Sequence, residues 1–391
     1  MMEKHIVELT TPLKGEYHEE LYRRVFFVSS DILEFELLYN NGKISAIEIS
    51  YKNKLDIEQT AKKINELVEN EIAVQKILEP NKIWENKEAR KYHEDVFTIL
   101  KSKGAITVGG EGQVGFGEPL IKLMDYFDAR IMEIVNDLFK AEEFRYPTLI
   151  PTKVVEKCGC VDSFPQLLMF VSSLHNDLDY YKKFKDEFKK EQEINSYVFD
   201  YVENVDYCLP PTMCYHTYNQ FKDSVFSNEF KKVVTSKGKS FRNESRYQKT
   251  LERLWDFTIR EIVFLGNQEF VAECRKKMME ASFSLMEELG LNGHAEVAND
   301  PFFASPDTAF KTFNQRLQAL KYELRMNLQE NHTISIASFN YHEHFFGENF
   351  NMKFDSDSHI ITGCVGFGLE RFMFAFLTQY GLDESNWPIK L

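Results

Sequence analysis

A glycine-spaced apolar segment near the C-terminus restricts the fold of this chain more than any other stretch. It reads SHIITGCVGFGLERFMFAFLT over residues 358–378, and its glycines permit close approach of the backbone. Arg371 follows the last glycine, where its guanidinium can meet a phosphate in a cleft or form a buried ion pair. This stretch alone leaves both interpretations open. Apolar residues at helical spacing predict a buried helix that carries Leu369, Phe372, Met373, Phe376 and Leu377.

The composition indicates a large chain with an ample core and an acidic surface. With 391 residues, 43% of them apolar, we expect two or three domains. The formal net charge of −14 argues against a main role in wrapping nucleic acid. No export signal or apolar run of membrane-spanning length is evident, so we expect the six cysteines to be reduced thiols. The sequence predicts a cytoplasmic, soluble protein.

Residues 1–104 are expected to form a small α+β domain of uncertain role. A β-rich run over 23–39, turn residues over 40–43 and an alternating run over 44–51 predict a hairpin. Helical spacing follows over 55–78 and again over 86–100. Sixteen Lys plus Arg against nineteen Asp plus Glu leave this domain near −3, which is not typical of a basic arm for tRNA.

A glycine-rich stretch, 105–117, is interpreted as a flexible linker. Gly110, Gly112 and Gly115 also match the spacing of a dinucleotide-binding loop. That alternative is disfavoured because the next expected strand, around 144–151, contains two prolines. A second, larger domain is expected over 118–391. It begins with an amphipathic helix over 119–139 and includes a charged, solvent-facing helix over 178–195, which could also serve as a docking surface.

Two strand-like segments carry residues suited to a binding site. Alternation places Arg242 and Glu244 of the FRNE sequence on one strand face. In the RLWDFTIREIVF segment, 253–264, Phe257 and Glu261 share a face and lie about 13 Å apart along a strand. A glutamate in an apolar row is costly unless it is paired or binds a metal. A ring, an arginine and a lone carboxylate on one face indicate a site.

Two cysteines could complete a metal site with Glu261. Cys214, in the PTMCYH sequence, and Cys364 would supply two thiolates, and three protein ligands with an open fourth position are typical of catalytic zinc. Sequence spacing does not show that these residues meet, and a lone cysteine is more often a small buried apolar residue. The Cys158 and Cys160 pair is interpreted as structural. His342, His344 and His359 form a loose cluster that is assigned no metal.

Taken together, these motifs resemble those of class II aminoacyl-tRNA synthetases. The FRNE and RLWDFTIRE segments resemble their motif 2, GFGLER resembles motif 3, and residues 119–151 resemble motif 1. More closely, the chain is similar to amino acid:[carrier protein] ligases, which are truncated homologues of the methanogenic-type seryl-tRNA synthetase. The similarity runs from about residue 112 to the end and includes SFPQLL, PTMCYH, ANDPFF, SFNYHEHFFG and TGCVGFGLERF.

The resemblance implies an α+β fold, with a class II synthetase-like, six-stranded antiparallel sheet flanked by helices. It also implies Zn²⁺ held by Cys214, Glu261 and Cys364, with the substrate amine at the open position. The family's metal-binding glutamate near the Ser/Asn block has no counterpart at Ser335, which leaves Glu323 as the candidate for Mg²⁺.

Roles in ATP and substrate binding follow from the same resemblance. Arg242 would hold the α-phosphate and the substrate carboxylate, and Arg371 the γ-phosphate, which makes these two the expected catalytic residues. Glu244 would bind the adenine amino group and Phe257 would stack on the base. The remaining candidates are Arg253 and Glu323 for ATP, and Ser338 and Asn340 for the amino acid.

The expected function is therefore adenylation of a small amino acid, such as glycine or alanine, followed by transfer to the phosphopantetheine thiol of a carrier protein. The alternatives are a seryl-type tRNA synthetase, which the acidic composition disfavours, and a catalytically silent paralogue acting as a regulator. The intact set of site residues disfavours the silent paralogue. We expect a homodimer formed through the motif 1 region, and a monomer in sedimentation at micromolar concentration would exclude it.

Overall fold

The N-terminal segment forms a three-stranded antiparallel sheet packed against helices. The computed structural model describes residues 2–51, 55–75, 81–244, 250–303, 307–329 and 332–391. The strands lie in the order β1-β3-β2, and their inward side chains form a separate apolar core with those of the helices. The elements are β1 (Glu3–Lys14), α1 (His18–Arg24), β2 (Ile32–Asn40), β3 (Lys43–Tyr51) and α2 (Ile57–Leu67).

The hairpin and the first helix of this segment are confirmed, and two details differ from the expectation. Residues 23–27 are helical rather than extended, because Leu21 and Val25 are buried four residues apart and Glu20 pairs with Arg24 at 2.9 Å. The strand β1 was not predicted. Of the helical stretch 55–78, residues 76–78 lie outside the described residues, as do residues 245–249 of the FRNE loop.

The second predicted helix, 86–100, is largely wrong. Residues 82–86 form a strand, β4 (Lys82–Asn86), and the helix α3 covers only Val96–Ser102. Asp95 accounts for this start, because its carboxylate accepts a hydrogen bond from the backbone N–H of Thr98 at 3.1 Å and caps the helix.

An eight-stranded sheet organises the rest of the chain. Its order is β4-β14-β15-β16-β18-β13-β12-β7, and every neighbouring pair is antiparallel except β12 and β7. The six central strands match the expected antiparallel sheet, and β4 and β7 add one strand at each edge. The strands after β4 are β7 (Glu142–Phe144), β12 (Lys232–Phe241), β13 (Asp256–Gly266), β14 (Gly293–Val297), β15 (Lys321–Gln329), β16 (His332–Tyr341) and β18 (Ile361–Gly368).

One face of this sheet is covered by three helices: α4 (Leu120–Phe139), α9 (Gln268–Glu288) and α12 (Leu369–Tyr380). Phe127 of α4 stacks on Phe372 of α12, with ring centroids 4.2 Å apart. A bidentate ion pair joins α4 to the sheet, since Arg260 of β13 donates to both oxygens of Asp128 at 2.7 and 2.9 Å. The alternate residues of the central strands face this layer and form the larger core.

Smaller elements surround the other face. A three-stranded sheet β8-β10-β9 carries the predicted charged helix, α7, in which no residue is buried. The elements are β8 (Ile150–Pro151), α5 (Thr152–Lys157), α6 (Cys160–Ser163), β9 (Met169–Leu174), α7 (Leu178–Glu191), β10 (Val202–Leu209), α8 (Cys214–Gln220), β11 (Val225–Phe226), α10 (Thr308–Leu317), α11 (Phe345–Asn349) and β17 (Lys353–Phe354).

The glycine-rich stretch is a short hairpin rather than an extended linker. It comprises β5 (Ile106–Gly110) and β6 (Gln113–Phe116), and its turn contacts the segment that precedes β13. The backbone N–H of Trp255 donates to the carbonyl of Gly112 at 2.9 Å, and the Trp255 indole lies directly against this glycine. The hairpin therefore packs against the segment that precedes β13, and we interpret it as a structural support and not as a dinucleotide-binding loop.

The division of the chain into domains stays a proposal, and packing favours an earlier boundary than residue 104. The N-terminal core uses residues from Val7 to Ile72, whereas Val96, Leu100 and Ile106 belong to the larger core. We therefore propose an N-terminal unit that ends near residue 75. Among the residues with described coordinates, no helix combines the length and apolarity needed to cross a bilayer.

Gly112→Ala is expected to destabilise the fold. Gly112 has φ +62°, and a Cβ at this position would lie 2.4 Å from Cδ1 of Trp255. The left-handed backbone and the steric overlap should together lower the free energy of unfolding by about 2 kcal/mol or more. Chemical denaturation measures this, with Gly110→Ala as control, because the nearest atom to a Cβ there is 4.0 Å away. Equal effects of the two substitutions would contradict the role of Gly112.

Candidate active site

The pairing of three strands places the predicted site residues on the sheet face opposite the covering helices. Gly366 of β18 lies between Glu261 of β13 and Ser338 of β16, and Cys364 lies opposite Asn340. Residues directly opposite each other on antiparallel strands point to the same face, as do residues two apart on one strand. Glu261, Ser338, Asn340 and Cys364 therefore share one surface.

Next to this surface lies a cavity lined by charged residues from both predicted motifs. Arg242 and Glu244 come from the FRNE segment, Arg253 from the start of the RLWDFTIREIVF segment, and Arg371 from the start of α12. The other lining residues are Glu19, Arg23, Phe27, Gln166, Leu167, Glu252, Asn299, Pro301, Lys321, Glu323, Arg325, His332, Thr333, Ile334 and Ser335. Cations outnumber carboxylates there although the whole chain is acidic, so the cavity suits a polyanion.

Arg371 is held in place by the backbone around it. Its Nε donates to the carbonyl of Glu252 at 2.9 Å, and Nη1 to that of Ser335 at 3.5 Å. Burial lowers the pKa of Arg371 to about 10, so the guanidinium stays charged at neutral pH. Arg371 therefore lies on the cavity wall, where its guanidinium can face a phosphate. The carboxylates of Glu244 and Glu323 line the same cavity.

The neighbouring Glu370 joins α12 to β13. Both of its carboxylate oxygens accept a hydrogen bond from the backbone N–H of Thr258 at 2.8 Å, and one also accepts from the Thr258 hydroxyl. Glu370 is 1% exposed. Its bonds therefore determine where the first turn of α12, and with it Arg371, lies relative to the FRNE segment.

Arg242 and Glu244 follow the end of β12 rather than lying within a strand. The backbone turns sharply there, because the N–H of Glu244 donates to the carbonyl of Arg242 at 2.8 Å. Both side chains still line the cavity. Burial raises the pKa of Glu244, but the surrounding arginines, Arg253 first, outweigh it and hold the pKa below its ordinary value. Glu244 is therefore an ionised acceptor.

Arg242 connects the cavity to the sheet surface. Its Nε donates to the carbonyl of Pro211 at 3.0 Å, and its guanidinium lies 5.2 Å from the ring centroid of Phe257. Phe257 itself is not among the cavity-lining residues. One face of its ring is covered by Arg242, so a stacked base would have to use another part of the ring.

Cys214, Glu261 and Cys364 come together as a buried cluster. One ligand atom from each lies within 4.8 Å of the others. Glu261 is 1% exposed, and its Oε2 accepts a hydrogen bond from Thr212 at 3.0 Å. Burial raises the pKa of Glu261 to about 7. Two thiols and a carboxylate enclosed in this way fit a thiophilic divalent cation such as Zn²⁺, which would compensate the cost of burying the charges.

Sequence analysis missed two neighbours of this cluster. Thr212 precedes Cys214 by two residues, and its hydroxyl reaches both Glu261 and the Cys214 sulfur. His342 is half-buried, its Nε2 lies 3.7 Å from the Cys364 sulfur, and desolvation lowers its pKa to about 4. Both residues occur in quoted segments, PTMCYH and SFNYHEHFFG, but nothing local in these segments shows that they face the cluster.

The substrate candidates lie next to the cluster, whereas the Mg²⁺ candidate is engaged by cations. Asn340 donates to the Ser338 hydroxyl at 3.2 Å and to the Cys364 sulfur at 3.5 Å, so both line the approach to the cluster. Glu323 lines the cavity, but Arg325 and Lys321 pair with its carboxylate at 2.8 and 3.4 Å. Burial raises the pKa of Glu323, but these cations hold it at about 2. A carboxylate engaged in this way does not fit a Mg²⁺ ligand.

The remaining thiols and histidines support a structural interpretation. Cys158 and Cys160 are buried in an apolar cluster, and the Cys160 sulfur lies 2.9 Å from the Tyr215 hydroxyl. Among the described residues, the only metal-compatible group is Cys214, Glu261 and Cys364, and it includes none of His342, His344 and His359. Lys321, Arg325, Glu252 and His332 line the cavity but were not predicted, because each lies in a strand or loop without a distinctive motif.

An antiparallel sheet that carries arginines from two motifs over one cavity defines a catalytic domain of the class II synthetase type. Comparisons agree: the tRNA synthetase class II core domain (G, H, P, S and T) matches residues 197–380. The type-2 serine–tRNA ligase of Methanococcus aeolicus is 30% identical over 285 residues, 71% of this chain and 55% of that protein. This chain therefore spans about half the length of such relatives.

A second relative matches over more of its own length. Amino acid–[acyl-carrier-protein] ligase 1 of Bradyrhizobium diazoefficiens is 30% identical over 271 residues, 64% of this chain and 75% of that protein. In fold, the chain resembles M. kandleri SerRS, solved in complex with A. aeolicus tRNASec, with a TM-score of 0.72 and 21% identity over 99% of this chain and 76% of that one. The chain belongs to the class II aminoacyl-tRNA synthetase family, whose matched members are ligases.

Glu370→Ala is expected to destabilise the junction of α12 and β13. It leaves the half-buried N–H of Thr258 without its carboxylate acceptor, at a cost of about 2 kcal/mol in the free energy of unfolding. Glu370→Gln keeps one acceptor oxygen and should lose about half as much. Denaturant unfolding measures both, with Glu384→Ala, an exposed carboxylate beyond the same helix, as control. If the alanine variant unfolds like the control, Glu370 does not hold this junction.

Proposed function

We propose that the chain adenylates a small amino acid, such as glycine or alanine, and transfers it to the phosphopantetheine thiol of a carrier protein. The observation that supports this most is the position of Arg242. It lines the cationic cavity, and its Nε donates to the carbonyl of Pro211, the residue before Thr212, whose hydroxyl donates to Glu261 of the buried cluster. A group bound at the cluster and a phosphate bound in the cavity would thus both lie within reach of one guanidinium.

Adenylation requires positioning and neutralisation of phosphate charge more than covalent help from the protein. The substrate carboxylate attacks the α-phosphorus of ATP, the bond to the β-phosphate breaks, and pyrophosphate leaves. In our proposal Arg242 orients the carboxylate and the α-phosphate, and Arg371 and Arg253 neutralise the rest of the polyphosphate. Glu244, which remains ionised, accepts a hydrogen bond from the adenine amino group.

Selection of a free amino acid follows from the buried cluster. Cys214, Glu261 and Cys364 would hold Zn²⁺, which when bound supplies a Lewis-acidic position for the substrate amine. Thr212 orients the Glu261 carboxylate, and Ser338 and Asn340 line the approach. Among the described residues, those of the cavity do not supply an evident Mg²⁺ shell, so no role in the reaction is assigned to Glu323 beyond orienting Lys321 and Arg325.

Transfer to a thiol is supported by the charge of the chain and by one relative. In the second step, a thiol sulfur attacks the acyl carbon of the adenylate and AMP leaves. The chain carries −14 overall, and residues 1–75 contain nine Lys plus Arg against fourteen Asp plus Glu. Such a unit would attract a tRNA backbone poorly. The amino acid–[acyl-carrier-protein] ligase is also matched over 75% of its length, against 55% for the serine–tRNA ligase.

One observation favours a second candidate, a seryl-type tRNA ligase. The fold likeness to the tRNA-bound M. kandleri SerRS extends over 99% of this chain, which includes the N-terminal unit. In either case we propose a cytoplasmic homodimer that uses the face around α4, where Ile121 and Leu138 are exposed.

Amino-acid-dependent exchange of pyrophosphate into ATP tests the first step. We expect exchange with a small amino acid and a loss of more than about 100-fold on zinc chelation or in Cys364→Ala, because metal ligands matter at least as much as their supporting residues. Cys274→Ala, a buried thiol outside the cluster, should keep wild-type exchange and metal content. No exchange with any of the twenty amino acids, from zinc-loaded protein, would favour the regulatory paralogue.

The acceptor is tested with labelled amino acid and three probes: a phosphopantetheinylated acyl carrier protein, the same carrier without its arm, and tRNASer. We expect label on the first alone, held by a bond that neutral hydroxylamine cleaves, as a thioester requires. Gel separation and scintillation counting measure it. Label on tRNASer instead would establish the second candidate and reject the carrier.

A further inference from the structure

The N-terminal unit contributes side chains to the cavity that we assign to ATP. Glu19, Arg23 and Phe27 line it together with Arg242 and Arg371. We propose that Arg23 binds the β- and γ-phosphates of ATP, so that the N-terminal unit completes the nucleotide site. This inference rests on the proposed function, and it gives residues 1–75 a role that requires no RNA.

The local fold directs Arg23 toward the cavity. Glu19, Arg23 and Phe27 are spaced four residues apart along α1 and the 3-10 turn that follows it, so they share one side. The opposite side is fixed in the core of the unit, where Leu21 and Val25 are fully buried. Arg24, 5% exposed, is held there by ion pairs to Glu20 and Glu71 at 2.9 and 3.3 Å. Arg23 also approaches Glu20, with Nη1 3.7 Å from its carboxylate, but unlike Arg24 it lines the cavity. We therefore assign Arg24 a structural role and Arg23 a role in the cavity.

The unit is docked on a segment that itself forms the cavity wall. Phe303 packs against the N-terminal core, and its ring centroid lies 5.9 Å from that of Phe27. The Phe303 N–H donates to the carbonyl of Ser163 at 3.1 Å, which ties this segment to the catalytic domain. Asn299 and Pro301, a few residues earlier, line the cavity. The contact between Phe27 and Phe303 therefore holds the turn of helix next to Arg23 against the cavity wall.

The charges inside the cavity call for an anionic ligand near Arg23. Among the described residues, six Lys or Arg side chains line the cavity against four carboxylates, so cations are in excess around Arg23. Arg242 is assigned to the α-phosphate, and Arg371 and Arg253 to the phosphates that depart as pyrophosphate. Arg23 lines the same cavity and would add a third guanidinium to these two phosphates. An arginine suits them because its planar fork can donate two hydrogen bonds to one phosphate.

This assignment predicts that a change at Arg23 affects the binding of ATP and of AMP differently. A residue that contacts only the β- and γ-phosphates affects binding of ATP but not of AMP, whereas a residue that merely supports the fold of the cavity affects both. We therefore compare Arg23→Gln and Arg23→Lys in the full chain by calorimetric titration with ATP and with AMP. Lys63→Gln, an exposed cation on α2 of the same unit, is the matched control.

We expect Arg23→Gln to weaken ATP binding at least tenfold and AMP binding less than twofold, and Arg23→Lys to recover part of the loss. Lys63→Gln should bind both nucleotides as the wild type does, and thermal unfolding verifies that each variant is folded. Equal weakening of ATP and AMP, no weakening of ATP, or an equal effect of Lys63→Gln would overturn the proposal. If Arg23→Gln does not fold, the Arg23→Lys variant decides, since an unaltered ATP-to-AMP affinity ratio in it with full stability contradicts a bidentate contact.

The outcome is independent of whether the protein transfers an aminoacyl group. If the wild type shows no pyrophosphate exchange, the proposed function fails, while the comparison of ATP with AMP still tests Arg23. If exchange occurs and Arg23→Gln leaves the KM for ATP unchanged while Arg371→Ala raises it, the proposed function stands and the assignment of Arg23 is wrong.

Discussion

The pairing of β13 with β18 is the constraint on which the rest of the structure depends. It sets Glu261 opposite Gly366 and Val263 opposite Cys364, so that a carboxylate and a thiol from distant segments become diagonal neighbours on one face. A shift of the register by one residue would turn both into the helix-covered core. The apolar residues on the other face, among them Ile262 and Phe367, make such a shift costly because they fill that core. The apolar core on one face of the sheet thus determines which polar side chains meet on the opposite face.

The same pairing sets the position of the arginines. α12 begins directly after β18, and Glu370 in its first turn holds Thr258 of β13 through both carboxylate oxygens. Arg371 is the next residue, so its position is determined by strand pairing and one buried hydrogen-bonded contact rather than by a flexible loop. Arg260 performs a similar task on the opposite face by tying β13 to Asp128 of α4. Sites supported by strands and buried ion pairs keep their geometry better than sites on loops.

The features that depend on the spacing of nearby residues were predicted correctly. The helices at 120–139 and 369–380 and the shared face of Phe257 and Glu261 follow from spacings of 3.6 and 2 residues. The meeting of Cys214, Glu261 and Cys364 spans 150 residues of sequence and was anticipated only through the family resemblance. The helical turn at 23–27 was read as a strand because its run of Val and Phe suits either structure. Arg23, Thr212 and His342 were missed since no nearby residue indicates which distant surface they meet.

The distribution of charge explains how an acidic chain can be specific for a compact polyanion. Repulsion from a surface of net charge −14 acts on any long anion that must lie along it, whereas a short polyphosphate that entered the cavity would meet mainly cations. Enclosure strengthens this attraction, because the walls exclude water and lower the effective dielectric constant. Lys321 and Arg325 of β15 and Arg371 of α12 supply three of those cations from regular elements, and Arg23 of the docked N-terminal unit adds another. A site built in this way is selective before any chemical step occurs, since it distinguishes ligands by the size over which their charge is spread.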